Sequence, residues 1–424
     1  MFLLKTILRG SAIVLCLSCN NLGGKKASLI PAANAGTAAL TAPVNNAIPE
    51  KEAEQYRSKC SSFFDSLLLD HGRFNGSILV AKEGTIVYEK YAGFANPRLH
   101  KDSLAPNSAF HLASVSKTFT AMSVLKLWEQ GRLNLNDDLS KYFPNFPYAG
   151  VTIKMLLSHR SGLPNYVHYM DRYGWDKRKM ATNPDVLNSL YTMHPPLEFV
   201  SGKHFSYCNT NYALLALIIE KVTGHSYADF LQDTFFTPLQ MHDTYVFALK
   251  DTARAMRSYA FNNREFPMEF LDEVYGDKNV YSTARDMLKW DQALYAGQFF
   301  KQSTLDSAFA GYSFEKEGKR NYGLGWRMTF LDNGKKLLYH NGWWHGNNSV
   351  FVRLVDEKAT IIVLGNKFNK RIYASKKLSD LFGPYMQTTN GQEEVEGSGG
   401  GERHVRTAAH HKVGHRKHHR KRKK

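Results

Sequence analysis

The order in which the hydrophobic period changes along the chain constrains its fold most. Gly76 to Ala81 and Thr85 to Tyr88 are β-rich runs split by Lys82-Glu83-Gly84, a hairpin signal. Helical periodicity precedes them over Ala53 to Leu69 and follows over Val115 to Glu129, Lys154 to Ser158, Pro184 to Tyr191, Thr210 to Val222, Tyr227 to Thr234 and Ala284 to Leu294. Strand character returns at Tyr322 to Phe330, Lys336 to His340, Ser349 to Asp356 and Thr360 to Leu364, and Ile372 to Phe382 closes as a helix. The predicted class is α/β of the α+β kind: an antiparallel sheet built from both chain ends, with flanking helices and an inserted, mostly helical lobe at about 111–274. A cleft between sheet and lobe is the default place for a site.

The flanks differ in composition from this body. Lys5 and Arg9 precede the apolar run Ala12 to Leu17, then Ser18 and Cys19, the order of an export signal over 1–18. A small residue ahead of Cys19 is similar to the cleavage box of bacterial lipoproteins, which implies lipidation of Cys19 and an exported protein, periplasmic or tethered to the outer membrane, with plain secretion as the alternative. The apolar run is too short to span a bilayer. Residues 19–56 read as a spacer, 57–388 as the body, 389–402 as a flexible linker and 403–424 as a basic tail. Of the formal net charge of +17, the segment from Glu402 to Lys424 supplies +9. For an exported chain such a tail suits peptidoglycan or other anionic envelope polymers better than nucleic acid. Four cysteines are too few for a disulfide scaffold or a zinc module, and Cys60 and Cys208 read as packed thiols, with pairing left open.

The chain lacks H-E-x-x-H, Walker A, G-x-G-x-x-G and G-x-S-x-G, so zincins, P-loop enzymes, dinucleotide-binding domains and ordinary α/β-hydrolases are excluded. S-x-x-K, which sets a hydroxyl and an amine one helical turn apart, occurs at Ser114/Lys117, Ser123/Lys126 and Ser313/Lys316. Ser123 falls in mid-helix, where its hydroxyl bonds back to the preceding turn, and Ser313 sits in a polar loop. Ser114 opens a helix, beside the positive end of the helix dipole. Tyr207-Cys208-Asn209 lies on a turn before a helix, and Tyr339-His340-Asn341-Gly342 at a strand end. Three polar clusters at element boundaries suit a cleft better than a core.

With those clusters in this order, the chain resembles the serine β-lactamase and penicillin-binding protein family, nearest to its branch of class C β-lactamases, D-Ala-D-Ala carboxypeptidases and esterases. The likeness spans roughly 57–388 and extends to Thr152 to Pro164, Phe205 to Tyr212, Ser282 to Met287 and Tyr322 to Trp326. The resemblance implies a β-lactamase/DD-peptidase-like fold and an acyl-enzyme on Ser114, with Lys117 sharing its proton and Tyr207 passing that proton to the leaving group. It implies that Asn209 holds the substrate amide, that the Ser114 and Trp343 N–H groups form the oxyanion hole, and that no cofactor or metal takes part. Substrates would be D-amino-acid peptides, β-lactams or esters.

One departure stands out. The third motif of β-lactamases is usually Lys-Thr-Gly, and here it reads His340-Asn341-Gly342. With an unperturbed pKa of about 6.5, histidine is mostly neutral where lysine is a permanent cation. A carboxypeptidase or esterase is therefore expected rather than an efficient β-lactamase. His340, Asn341, Gly342, Trp343 and Trp344 are expected to line the substrate cleft, the two tryptophans either narrowing it or packing on the lobe. His159 is expected in a capping or buried hydrogen-bonding role. The competing reading is a weak or inactive member of the fold that binds wall or surface polymers through its cleft and basic tail.

Overall fold

Seven strands with mutually buried apolar runs pair antiparallel into one sheet. The computed structural model describes residues 48–386, except His71, Ala296, Gln298, Lys316 and Glu317; the expected export signal, Cys19, linker and tail lie outside the described residues. The helix α1 (Glu50–Phe64) leads into the strands β1 (Gly76–Lys82) and β2 (Thr85–Ala92). Thus α1 begins within the stretch expected as spacer, with Ala53 already buried. Short strands β3 (Phe94–Asn96), β4 (Lys101–Ser103) and β5 (Phe110–His111) carry the chain to the lobe. The lobe holds α2 (Ser116–Glu129), α3 (Ile153–Leu157), α4 (Tyr166–Arg172), α5 (Asn183–Met193), α6 (Asn209–Thr223) and α7 (Tyr227–Leu231). After β6 (Tyr245–Val246), β7 (Val280–Ser282), α8 (Ala284–Ala293) and α9 (Gln302–Ala308), the chain returns through β8 (Arg320–Tyr322), β9 (Arg327–Phe330), β10 (Lys336–Trp344), β11 (Asn347–Leu354) and β12 (Ala359–Gly365). A 3-10 helix, Lys370–Leu381, closes the body where an ordinary helix was expected.

The sheet order β2-β1-β12-β11-β10-β9-β8 places β1, from one chain end, against β12, from the other. Its register sets Leu79 beside Ile362, Ile362 beside Phe351, and Phe351 beside His340. Successive side chains of a strand face opposite ways, so these residues share the lobe face, where Leu79, Ile362 and Phe351 join one apolar cluster with the helices. Ile78, Val80, Ile361, Val363 and Val350 share the other face, packed on α1 and the closing 3-10 helix. The expected strand Tyr322–Phe330 is interrupted by a Gly323–Trp326 turn. Gly325 has φ +89°, and a Cβ there would lie 2.2 Å from Ala121 Cβ, so the turn packs directly on α2. Arg353 on β11 and Asp291 on α8, both fully buried, are 2.6 Å apart and tie this helix to the sheet.

Candidate active site

Ser114 lies in a single 3-10 turn, Ala113–Val115, that runs straight into α2. Ala113 has φ +48°, a conformation costly for a residue with a Cβ, and the turn delivers Ser114 to the lobe–sheet boundary at 5% exposure. One turn later, fully buried Lys117 aims Nζ at three acceptors: Ser114 Oγ at 3.3 Å, Asn209 Oδ1 at 2.8 Å and the Asp277 carbonyl at 2.8 Å. Those three bonds use the three donors of an ammonium. Ser123 donates instead to the Phe119 carbonyl within its helix, at 2.8 Å.

Asn209 is the first residue of α6, and Tyr207 lies just ahead of it. The Tyr207 ring centroid is 5.0 Å from Lys117 Nζ and 4.9 Å from the Arg327 guanidinium, and it packs at 4.3 Å on the His159 imidazole. The phenol oxygen is buried and makes no hydrogen bond, so the ring stands beside the Ser114–Lys117 pair without being hydrogen-bonded to it. His159 is fully buried. Its Nδ1 accepts from the Cys208 N–H at 3.1 Å, which fixes the segment carrying Tyr207. Burial, then the Lys117 and Arg327 charges, hold its pKa well below 6.5. Cys60 and Cys208 are free buried thiols, each pushed up to about 12 by burial.

β10 supplies the third cluster and corrects part of the expected cleft lining. The strand runs through to Trp344, beyond His340 where strand character was expected to end, so its residues alternate. His340, Gly342 and Trp344 face the lobe; Asn341 pairs with Val350 on the other face, and Trp343 packs there on Phe368 at 5.6 Å. The side chains of Asn341 and Trp343 therefore do not line the Ser114 side. His340 is fully buried rather than on the cleft surface: Nδ1 faces the Asn341 carbonyl at 2.7 Å and Nε2 the Tyr322 hydroxyl at 3.2 Å. Burial, then Arg327 and Lys117, hold its pKa well below 6.5, so it is neutral. A Cβ on Gly342 would sit 2.3 Å from the Leu112 carbonyl and 3.0 Å from the Ser114 nitrogen. Only glycine lets β10 pass this close to the serine.

Three further residues were missed. Asp277 holds Lys117 through its carbonyl, and buried Lys278 donates to the Tyr166 hydroxyl, which donates to Asp277 Oδ2 at 2.8 Å. Lys278 Nζ also lies 4.7 Å over the Trp344 ring, whose indole N–H donates to Asp272 Oδ1 at 2.7 Å. Burial pulls the Lys278 pKa down. A run such as Asp277-Lys278-Asn279 reads as a solvated loop, and no local signal marks it as interior. Arg327 follows the Gly325-Trp326 turn, and only strand pairing shows that it sits opposite Tyr339, one residue from His340.

This architecture defines a mixed helix and antiparallel-sheet serine hydrolase fold with its polar groups at the lobe–sheet boundary. The chain belongs to the beta-lactamase family, whose model matches residues 48–379 and whose members are serine hydrolases. It is 35% identical over 327 residues to a penicillin-binding protein of Bacillus subtilis (strain 168), covering 73% of this chain and 72% of that protein. An octameric penicillin-binding protein homologue from Pyrococcus abyssi superposes with a TM-score of 0.66 at 25% identity, over 76% of this chain and 77% of that one. The D-amino acid amidase from Ochrobactrum anthropi SV3 shares the fold, with a TM-score of 0.61 at 24% identity, over 75% of this chain and 98% of the amidase. Among the described residues no helix is long and apolar enough to cross a membrane.

Proposed function

We propose that the protein hydrolyses D-amino-acid peptides, amides or esters through an acyl-enzyme on Ser114, as a carboxypeptidase or esterase more than an efficient β-lactamase. The observation that carries this reading is the single ammonium of Lys117 bonded to Ser114 Oγ and Asn209 Oδ1 with the Tyr207 ring 5.0 Å away. Ser114 Oγ bonds to the substrate carbonyl carbon as its proton passes to deprotonated Tyr207, directly or by relay through Lys117, which gives up one proton as it takes the other; the bond to the leaving amine or alcohol then breaks as Tyr207 returns that proton to it. Water then cleaves the acyl ester and returns a proton to Ser114. The N–H groups of Ser114 and Trp343 receive the oxyanion, a role supported by the close passage of β10 at Gly342. Asn209 orients the substrate amide, and Trp344 forms the lobe-side wall.

Arg327 changes the expectation set by the missing third-motif lysine. Its guanidinium beside Tyr207 supplies a fixed positive charge where neutral His340 does not, which favours a substrate carboxylate. Intact-mass analysis after a fluorophosphonate or a penicillin is expected to show one adduct on Ser114, absent in Ser114→Ala. No adduct from any of several acylating agents would instead favour a non-catalytic binder of wall polymers. A panel of a D-Ala-D-Ala peptide, a cephalosporin and p-nitrophenyl esters ranks the substrates. Export with a lipid on Cys19, and contact of the basic tail with anionic envelope polymers, complete the proposal; the N-terminal mass of the mature protein tests the first.

A further inference from the structure

Behind the sheet, on the face away from Ser114, lies a cavity of about 730 Å³ lined by Arg73, Lys367, Lys370, Arg371, Phe261 and Phe368 among others. Its size falls within the usual range of small-molecule sites, about 300–1,000 Å³. No carboxylate lines it, and among the described residues none of its four cations makes an ion pair; neighbouring Arg257, by contrast, lies 3.8 Å from Glu265. The walls are joined by main-chain bonds: the Tyr259 N–H donates to the Asn366 carbonyl at 2.8 Å, and the Phe368 N–H to the Tyr259 carbonyl at 2.8 Å. Asn369 caps the closing 3-10 helix, so that helix's positive end adds to the cations. Phe261 stands 75% exposed at the rim. Four cations held around one cavity repel each other, and Lys367 registers this: burial and the Arg73 charge pull its pKa down.

We propose that this groove binds a phosphate-bearing anion, with the four cations on the phosphate oxygens and Phe261 and Phe368 against the ring or chain that carries them. One carboxylate would leave most of that positive charge unmatched. Two guanidinium forks and two ammonium groups suit a multiply charged tetrahedral anion. The site is separate from Ser114 and does not depend on its chemistry. It does touch the catalytic strand, because Phe368 packs on Trp343.

The test uses the full chain, basic tail included. Tripolyphosphate is titrated calorimetrically at low salt, and co-sedimentation is measured with vesicles containing phosphatidic acid, a phosphomonoester, and with phosphatidylcholine vesicles. Arg73→Glu with Arg371→Glu is compared with Lys51→Glu plus Lys59→Glu, an equal charge change on α1. The groove variant is expected to weaken binding at least about tenfold, and the α1 variant less than about twofold. Loss in the tripolyphosphate arm alone identifies a soluble phosphate compound, and loss in the phosphatidic acid arm identifies a lipid headgroup. Equal weakening by both variants, or wild-type binding by the groove variant, overturns the proposal. If the reversal variant does not fold, Lys370→Gln with Arg371→Gln at exposed positions answers the same question, with a several-fold loss expected.

Discussion

The two faces of β10 show how one buried strand serves two purposes. Toward the lobe it presents Leu338, His340, Gly342 and Trp344; away from it, Leu337, Tyr339, Asn341 and Trp343. Both faces carry polar atoms, so polarity alone does not distinguish the catalytic side. Convergence does. On the lobe face His340 bonds to Tyr322, Trp344 to Asp272, and Gly342 brings the strand against Ser114. On the other face the Asn341 side-chain oxygen is buried without a partner, and the Trp343 indole N–H donates to the nearby His345 carbonyl at 2.8 Å, away from Ser114. A site is marked where several elements aim hydrogen-bonding groups at one point, because a buried polar group left alone only costs stability.

Lys117 is the group that joins these elements. Lys117→Met leaves Asn209 Oδ1 and the Asp277 carbonyl without their donor and Ser114 without its amine. The rate of fluorophosphonate labelling is expected to fall by about 10²- to 10⁴-fold; a drop below about tenfold would separate Lys117 from the chemistry. A second buried cation gives the contrast. Arg353, 2.6 Å from Asp291 and also donating to the Leu294 carbonyl at 3.4 Å, serves architecture. Arg353→Met leaves the Asp291 charge buried and should cost about 3–5 kcal/mol in denaturant unfolding. The labelling rate per folded molecule should be unchanged.

Gly342→Ala drives a methyl to within 2.3 Å of the Leu112 carbonyl, so the strand must shift away from Ser114. A stability loss of about 1–3 kcal/mol together with slower labelling is expected. Asn341→Ala, one residue along, removes only an unpartnered oxygen and its amide. Unfolding and labelling of that variant should stay near wild type, and a labelling defect equal to that of Gly342→Ala would refute the assignment of faces.

What the sequence made legible follows from the range of each interaction. Ser114 and Lys117 are one helical turn apart, and Tyr207 and Asn209 flank a helix start, so local geometry sets each pair. Both tryptophans read ambiguously because strand character in the sequence stops at His340 and leaves 341–344 without a period. The strand runs on to Trp344, and its alternation sends Trp343 to the back. Lys278 and Arg327 were invisible for a different reason. A charged residue reads as exposed until its partners are known, and theirs, Tyr166 and Tyr207, lie 112 and 120 positions away. The split between β8 and β9 was likewise hidden, since it depends on Gly325 docking against α2.

The smallest effect contrasts two histidines of the same region. His340 and His159 are buried with pKa values held well below 6.5, and His111 is pushed by burial to about 4. His345 goes the other way: burial opposes its charge, but the Asp272 carboxylate at 2.9 Å raises its pKa. For the first group the unfolded chain takes up protons below about pH 6.5 that the folded chain refuses. Stability therefore falls on acidification, by about 1.4 kcal/mol per pH unit for each such histidine until its folded pKa is reached. For His345 the contribution is complete below about pH 6.5 and is lost as pH rises through its folded value. His340→Asn should thus flatten the acid limb of a melting-temperature profile. His345→Asn should leave that limb and flatten the decline above about pH 6.5. The reverse assignment, with His340→Asn altering only the neutral limb, would mean that His340 is protonated in the fold and that the fixed charge beside Tyr207 is not left to Arg327.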